Sequence, residues 1–206
     1  MTIKQEVLEA AKTLSALFKE GDDKRDAGLP HDIPEVERFD NIAYGPKEKW
    51  NLLDIYLPKK RIDKVPTIIN IHGGGWVYGT KETYQFFGLS LAKEGFAFVN
   101  FNYQLAPEVE FPGELDDVNR AVHWVASHGS DYDIDLNNIF IIGDSAGGQM
   151  AVQYLTILTN NTTVKNLATT NLTCQCVQLL LTAELLSSTF LVLLKVPQRL
   201  TLPILF

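Results

Sequence analysis

Gly143-Asp144-Ser145-Ala146-Gly147, entered directly from Ile139-Phe140-Ile141-Ile142, is the stretch that most restricts what this chain can fold into. Four consecutive apolar, mostly β-branched residues read as a strand buried on both faces. The glycines flanking the serine permit a sharp strand-to-helix turn that a bulky side chain would block. Gln149 to Leu155 can then run as a helix whose N-terminal dipole lies beneath Ser145. A bare Gly-x-Ser-x-Gly is common by chance; the strand before it and the helix after it give it meaning. Ser145 is the candidate nucleophile.

A chain of 206 residues is long enough for one domain with a sizeable core. Its formal net charge of −7 argues against nucleic acid or an anionic membrane as the main partner. Met1 to Glu6 lacks the basic-then-apolar layout of a secretory signal. The two cysteines, Cys174 and Cys176, are too close for a useful staple and too few for a zinc site. The expectation is a cytoplasmic protein with no metal and no cofactor.

Along the chain, Val7, Ala10, Ala11, Leu14, Leu17 and Phe18 recur at helical spacing, and Gly21 to Arg25 reads as a polar break. Residues 1–34 are thus a helical segment, either packed on the domain surface or capping a site. Asn51–Leu57, Thr67–Ile71 and Phe96–Phe101 read as strands, while 82–94 and 114–127 carry helical periodicity. Strands alternating with helices predict an α/β fold, a mostly parallel sheet with helices on both faces. Working residues gather at the carboxyl ends of such strands, where both Ser145 and the loop beginning at His72 fall.

Residues 161–206 differ in kind. All 14 glycines lie at or before Gly148, and beyond it the only charged residues are Lys165, Glu184, Lys195 and Arg199. Leu and Thr dominate. Val177–Leu194 is apolar, but Glu184 and several hydroxyl residues argue against a membrane span. The reading is that 35–160 is the N-terminal portion of a hydrolase domain, and that 161–206 is foreign to it through a frameshift or splice.

A serine hydroxyl needs a base to take its proton, and acyl transfer builds an oxyanion that needs donors. His72-Gly73-Gly74-Gly75 can supply donors, because three glycines leave backbone N–H groups unshielded, and the N–H of Ala146 would complete the set. A phosphate-cradling loop is the alternative. Neither the lysine of a Walker loop nor a G-x-G-x-x-G follows, which favours an oxyanion hole. His72 and Gly73 then support the loop, and His72 holds its shape rather than acting as the base.

Four motifs in one order, His72-Gly-Gly-Gly-Trp76, Tyr103-Gln-Leu-Ala-Pro-Glu108, Phe111-Pro-Gly-Glu-Leu-Asp-Asp117 and Gly143-Asp-Ser-Ala-Gly-Gly148, closely resemble the hormone-sensitive-lipase-like esterases. The resemblance implies an α/β-hydrolase fold and hydrolysis of small, short-chain carboxylic esters. It places the nucleophile at Ser145 and the oxyanion donors at Gly74, Gly75 and Ala146, and makes the N-terminal helix part of a cap. At Gln104 the family usually has Arg, so a structural ion pair is expected to be missing. Gly-Asp-Ser-Ala-Gly-Gly is also similar to the chymotrypsin-type nucleophile sequence, but that fold is all-β and the helical periods contradict it.

The family's triad runs Ser, Asp, His, yet no Asp or His follows Ser145 in this sequence, and Glu184 is the only acid there. His31, His123 and His128 read as solvated or packing residues, and Asp116 and Asp117 as helix-start carboxylates. Two further readings therefore stand beside the esterase. One is a catalytically dead fragment whose elbow strand, lacking an outer neighbour, self-associates. The other is a pseudo-enzyme that binds a carboxylate or ester in the glycine-loop pocket.

Overall fold

The computed structural model describes residues 3–159, 178–180 and 193–196. The expectations about the rest of 160–206 lie outside the described residues. A seven-stranded mixed sheet forms the centre, built from β1 (Val36–Ala43), β2 (Leu52–Pro58), β3 (Val65–Ile71), β4 (Ala97–Phe101), β5 (Ile134–Gly143), β6 (Gln178–Leu180) and β7 (Leu193–Val196). Its order is β1-β2-β4-β3-β5-β7-β6. The inner strands β4, β3 and β5 run parallel, and the pairs outside them are antiparallel. The helices are α1 (Ile3–Asp26), α2 (Gln85–Lys93), α3 (Gly113–His128) and α4 (Ser145–Thr159), with 3₁₀ turns at Lys81–Tyr84 and Gly129–Tyr132.

The alternation of side chains along the inner strands divides the core. Ile69, Ile71, Val99, Ile139 and Ile141 join Val118, Val122, Val125, Met150, Ala151 and Leu155 from α3 and α4 on one face. Ile68, Phe98 and Ile142 meet Leu89 and Ala92 of α2 on the other. Each such fully buried aliphatic or aromatic side chain contributes about 1.5–3 kcal/mol by leaving water. Both faces carry helices, as an apolar strand in a parallel arrangement requires.

Two elements depart from the sequence expectation. The polar stretch after Gly21 does not break α1, which continues to Asp26. Ion pairs one turn apart, Lys19–Asp23 and Lys24–Glu20, span the glycine, whose helical penalty is only about 1 kcal/mol, and Arg25–Asp22 follows it. The strand β1 is an addition. Its charged, alternating sequence pairs antiparallel with β2, with a register shift between Phe39 and Ile42 where Asn41 takes φ 59°. The outer side of β5, expected to be bare, is paired along Ile139–Ile141 by β7.

Candidate active site

Parallel pairing of β3 with β5 sets Ile71 opposite Gly143, so the loops leaving both strands emerge side by side. Their approach is close. A Cβ on Gly147 would lie 1.9 Å from the carbonyl oxygen of Ile71 and 2.7 Å from that of His72. Only a glycine lets α4 begin so near the end of β3. Ser145, the first residue of α4, takes φ 46°, a region costly for any residue with a side chain. It is exposed, whereas Ala146 and Gly147 behind it are buried. The turn expected from the sequence is therefore present, with the serine presented outward.

His72 lies fully buried at the base of the neighbouring loop. Its ring stacks on Tyr103 with centroids 4.1 Å apart, and Nδ1 lies 2.8 Å from the carbonyl oxygen of Gly73. Tyr103 in turn donates its hydroxyl to the carbonyl oxygen of His72 at 2.8 Å. Burial pushes the His72 imidazole down to about 4, so the ring is neutral at physiological pH. Nε2 is buried and meets no partner among the described residues. Beyond it the chain turns through Gly74 at φ 118° and Gly75 at φ 59°, and the carbonyl oxygen of Gly74 accepts from the N–H groups of Val77 and Tyr78.

The long helix α1 lies over this loop. A Cβ on Gly75 would meet Phe18 Cε2 at 3.7 Å and Leu14 Cδ2 at 3.9 Å, and the Phe18 and Tyr78 rings are 5.9 Å apart. At the other end of α1, Arg25 Nη2 donates to the carbonyl oxygen of Thr83 at 2.9 Å. On the α1–α2 side of Asp144 there is a cavity of about 560 Å³ walled by Leu29, Tyr84, Phe86 and Phe87; Ser145 does not line it.

The remaining histidines stand apart from Ser145 in the contacts they make. His31 is exposed, with Nδ1 3.2 Å from Gln85 Oε1; His128 stacks on Trp124; His123 is half-buried within α3. Asp117 is wholly buried and receives Asn51 Nδ2 at 3.0 Å, Gln104 Nε2 at 3.0 Å and the Gln104 N–H at 3.1 Å. Neutral hydrogen bonds from Gln104 thus occupy the place where an ion pair was expected to be lost. Among the described residues no group of three or more His, Cys, Asp or Glu gathers to hold a metal, and no helix is long and apolar enough to cross a membrane.

Sequence reasoning passed over Lys81 and Tyr84. Lys81, almost wholly buried, places Nζ 2.9 Å from Asp54 Oδ1 and 2.5 Å from Glu82 Oε1. Burial alone would lower its pKa, but Glu82 and Asp54 outweigh that and hold the ammonium charged. Its own N–H donates to Asn102 Oδ1 at 2.6 Å. A lysine beside a glutamate reads as a solvated pair, because its buried acidic partner, Asp54, is on β2.

With these features in place, the family model named BD-FAE matches residues 53–180, which include β2 through α4, both turns and the three residues of β6. The chain belongs to the BD-FAE family. It is an α/β-hydrolase of the hormone-sensitive-lipase-like kind, as its four motifs imply. It is 37% identical over 110 residues to a putative alpha/beta hydrolase of Acanthamoeba polyphaga mimivirus, covering 53% of this chain and 32% of that one. It is 35% identical over 134 residues to the esterase LipQ of Mycobacterium tuberculosis, covering 60% and 31%. Esterase B of Lactobacillus rhamnosis superposes with a TM-score of 0.76 at 27% identity, over 84% of this chain and 55% of that one. A bacterial heroin esterase gives 0.59 at 30% identity, over 69% and 45%. This BD-FAE chain spans about a third of the length of the curated relatives it matches.

Proposed function

We propose that residues 35–160 form the nucleophile and oxyanion half of a serine carboxylesterase site acting on small, short-chain esters. Ser145 Oγ attacks the ester carbonyl, the N–H groups of Gly74, Gly75 and Ala146 hold the oxyanion, His72 and Gly73 shape the loop, and water hydrolyses the acyl-enzyme. The observation that carries this reading is the exposed Ser145 at φ 46°, one strand away from a glycine loop turning at positive φ. Strain of this kind persists where surrounding structure over-determines it, and here the close approach of Gly147 to Ile71 does so. The esterase names of the relatives agree with the chemistry. α1, over Gly75, acts as a cap segment.

His72 is neutral, buried and turned to the carbonyl of Gly73, which supports a role in holding the loop rather than in taking the serine proton. The sequence from Ala146 to Phe206 supplies no Asp and no His. In the chain taken alone Ser145 has no positioned base, so its attack, though aided by the oxyanion donors, is expected to be slow. For this chain taken alone, a second reading is a binding module for carboxylates or esters.

Hydrolysis of p-nitrophenyl acetate by the purified chain and by Ser145→Ala separates the two. Slow turnover that Ser145→Ala abolishes supports the esterase reading. Equal rates in both proteins, with ligand-dependent thermal stabilisation, support the binding module.

A further inference from the structure

The turn that follows the glycine loop is anchored at three points. Lys81 is buried against Asp54 and Glu82, the Thr83 carbonyl accepts from Arg25, and the Tyr84 side chain reaches back between the two loops of the site. The Tyr84 hydroxyl accepts the N–H of Gly73 at 3.3 Å and donates to Asp144 Oδ1. Gly73 opens the glycine loop, and Asp144 immediately precedes Ser145. One oxygen atom therefore bonds to both turns at once, each at the residue next to its working part. The packing there is tight: a Cβ on Gly73 would lie 2.8 Å from each carboxylate oxygen of Asp144. Burial, and then the nearby Asp144 carboxylate, push the Tyr84 phenol well above its ordinary range, so it stays protonated and available as a donor.

We propose that Tyr84 is a positioning residue that locks the glycine loop to the elbow, fixing the N–H groups of Gly74 and Gly75 relative to Ser145 through the Gly73–Tyr84–Asp144 bridge. The inference rests on the esterase reading of the same site. Besides the bridge, the two turns share sheet register, the close approach of Gly147 to the carbonyls of Ile71 and His72, and the packing of Gly73 on Asp144. Misplacing donors by about an ångström costs on the order of a hundredfold in rate, so such a lock has a chemical consequence without touching substrate.

The test compares amide ¹H–¹⁵N spectra of the full chain with those of Tyr84→Phe, Asp144→Asn and the double variant. Gly73→Ala serves as an independent way of pushing Asp144 from its place. The bridge predicts that each single change moves the amide signals of Gly74, Gly75 and Ala146 together. It also predicts that the double variant matches the singles rather than adding to them. If Tyr84→Phe moves only the Gly73 signal, while Gly74, Gly75 and Ala146 keep their positions, the proposal is wrong. A general loss of stability would shift signals throughout the core, and far-ultraviolet circular dichroism with thermal melting identifies it. Should Tyr84→Phe unfold, Gly73→Ala decides alone: movement of Gly74, Gly75 and Ala146 supports the bridge, and their constancy overturns it. Reaction of wild type with a fluorophosphonate, set against Ser145→Ala, reports separately on the esterase reading. Where wild type reacts, Tyr84→Phe should slow labelling on the order of tenfold or more.

Discussion

The two turns of the candidate site draw on remote partners to different degrees. The elbow at Gly143–Gly147 is fixed by its own backbone: Gly147 sits against Ile71 with no room for a Cβ, and the resulting curvature carries Ser145 to φ 46°. The glycine loop leaving β3 makes its own backbone turn, the Gly74 carbonyl accepting from Val77 and Tyr78, but is otherwise held by side chains remote in sequence. His72 is wedged on Tyr103, α1 rests on Gly75, and Lys81 ties the following segment to β2. Backbone contact makes a turn brittle to single atoms, whereas remote support makes it sensitive to the loss of distant partners. A nucleophile needs the first kind of definition. A loop that receives a developing charge needs its amides free, so its support comes through carbonyl oxygens and through side chains elsewhere.

Breaking the elbow should have the largest effect. Gly147→Ala places a methyl 1.9 Å from the carbonyl oxygen of Ile71, and urea denaturation should show a loss of about 5 kcal/mol or more. Stability within about 1 kcal/mol of wild type would mean the two strand ends separate easily, and the contrast would fail. Next comes the remote anchor of the loop. Lys81→Met leaves Asp54 buried without its ammonium partner, at about 4 kcal/mol by the same measurement. Restoring stability with Asp54→Leu in the same chain would show that the cost is the stranded charge.

The base of the loop gives a pH signature. His72 titrates near 4 in the fold, below its unfolded value of 6.5, because burial disfavours the imidazolium. The unfolded chain therefore binds the proton first. Stability attributable to His72 is complete above about 6.5 and is lost as pH falls toward 4, by about 3 kcal/mol in total. His123, also lowered by burial, acts in the same direction. The part specific to His72 is the difference in pH dependence between wild type and His72→Gln; equal slopes would remove His72 from the account. The smallest effect belongs to the loop tip. Gly75→Ala has space, the nearest atom being 3.7 Å away, but φ is 59°, so a cost of about 1 kcal/mol is expected in thermal melting.

Much of this was legible locally. The strands β2 to β5 announce themselves as short apolar runs, and the elbow and glycine loop as motifs at strand ends. What escaped depended on partners remote in sequence. β1 carries three charged residues in eight and gains its pairing from β2. The continuation of α1 through Gly21 relies on ion pairs that a residue-by-residue reading takes for a solvated break. Tyr84 meets Asp144 sixty residues on, and Lys81 meets Asp54 twenty-seven residues back. Gln104 carries no charge to pair, as expected, and its hydrogen bonds to Asp117 show only in the fold. Motifs locate the proposed reacting groups, while the residues proposed to orient them show only once the sheet brings the strand ends together.

The central claim is that Ser145 is a nucleophile facing a built oxyanion loop, and covalent labelling tests it most directly. The purified chain is incubated with a fluorophosphonate, digested, and the adduct located by peptide mass spectrometry. The account predicts one adduct, on Ser145, absent from Ser145→Ala. An adduct on another residue, or none after prolonged incubation of folded protein, would contradict it.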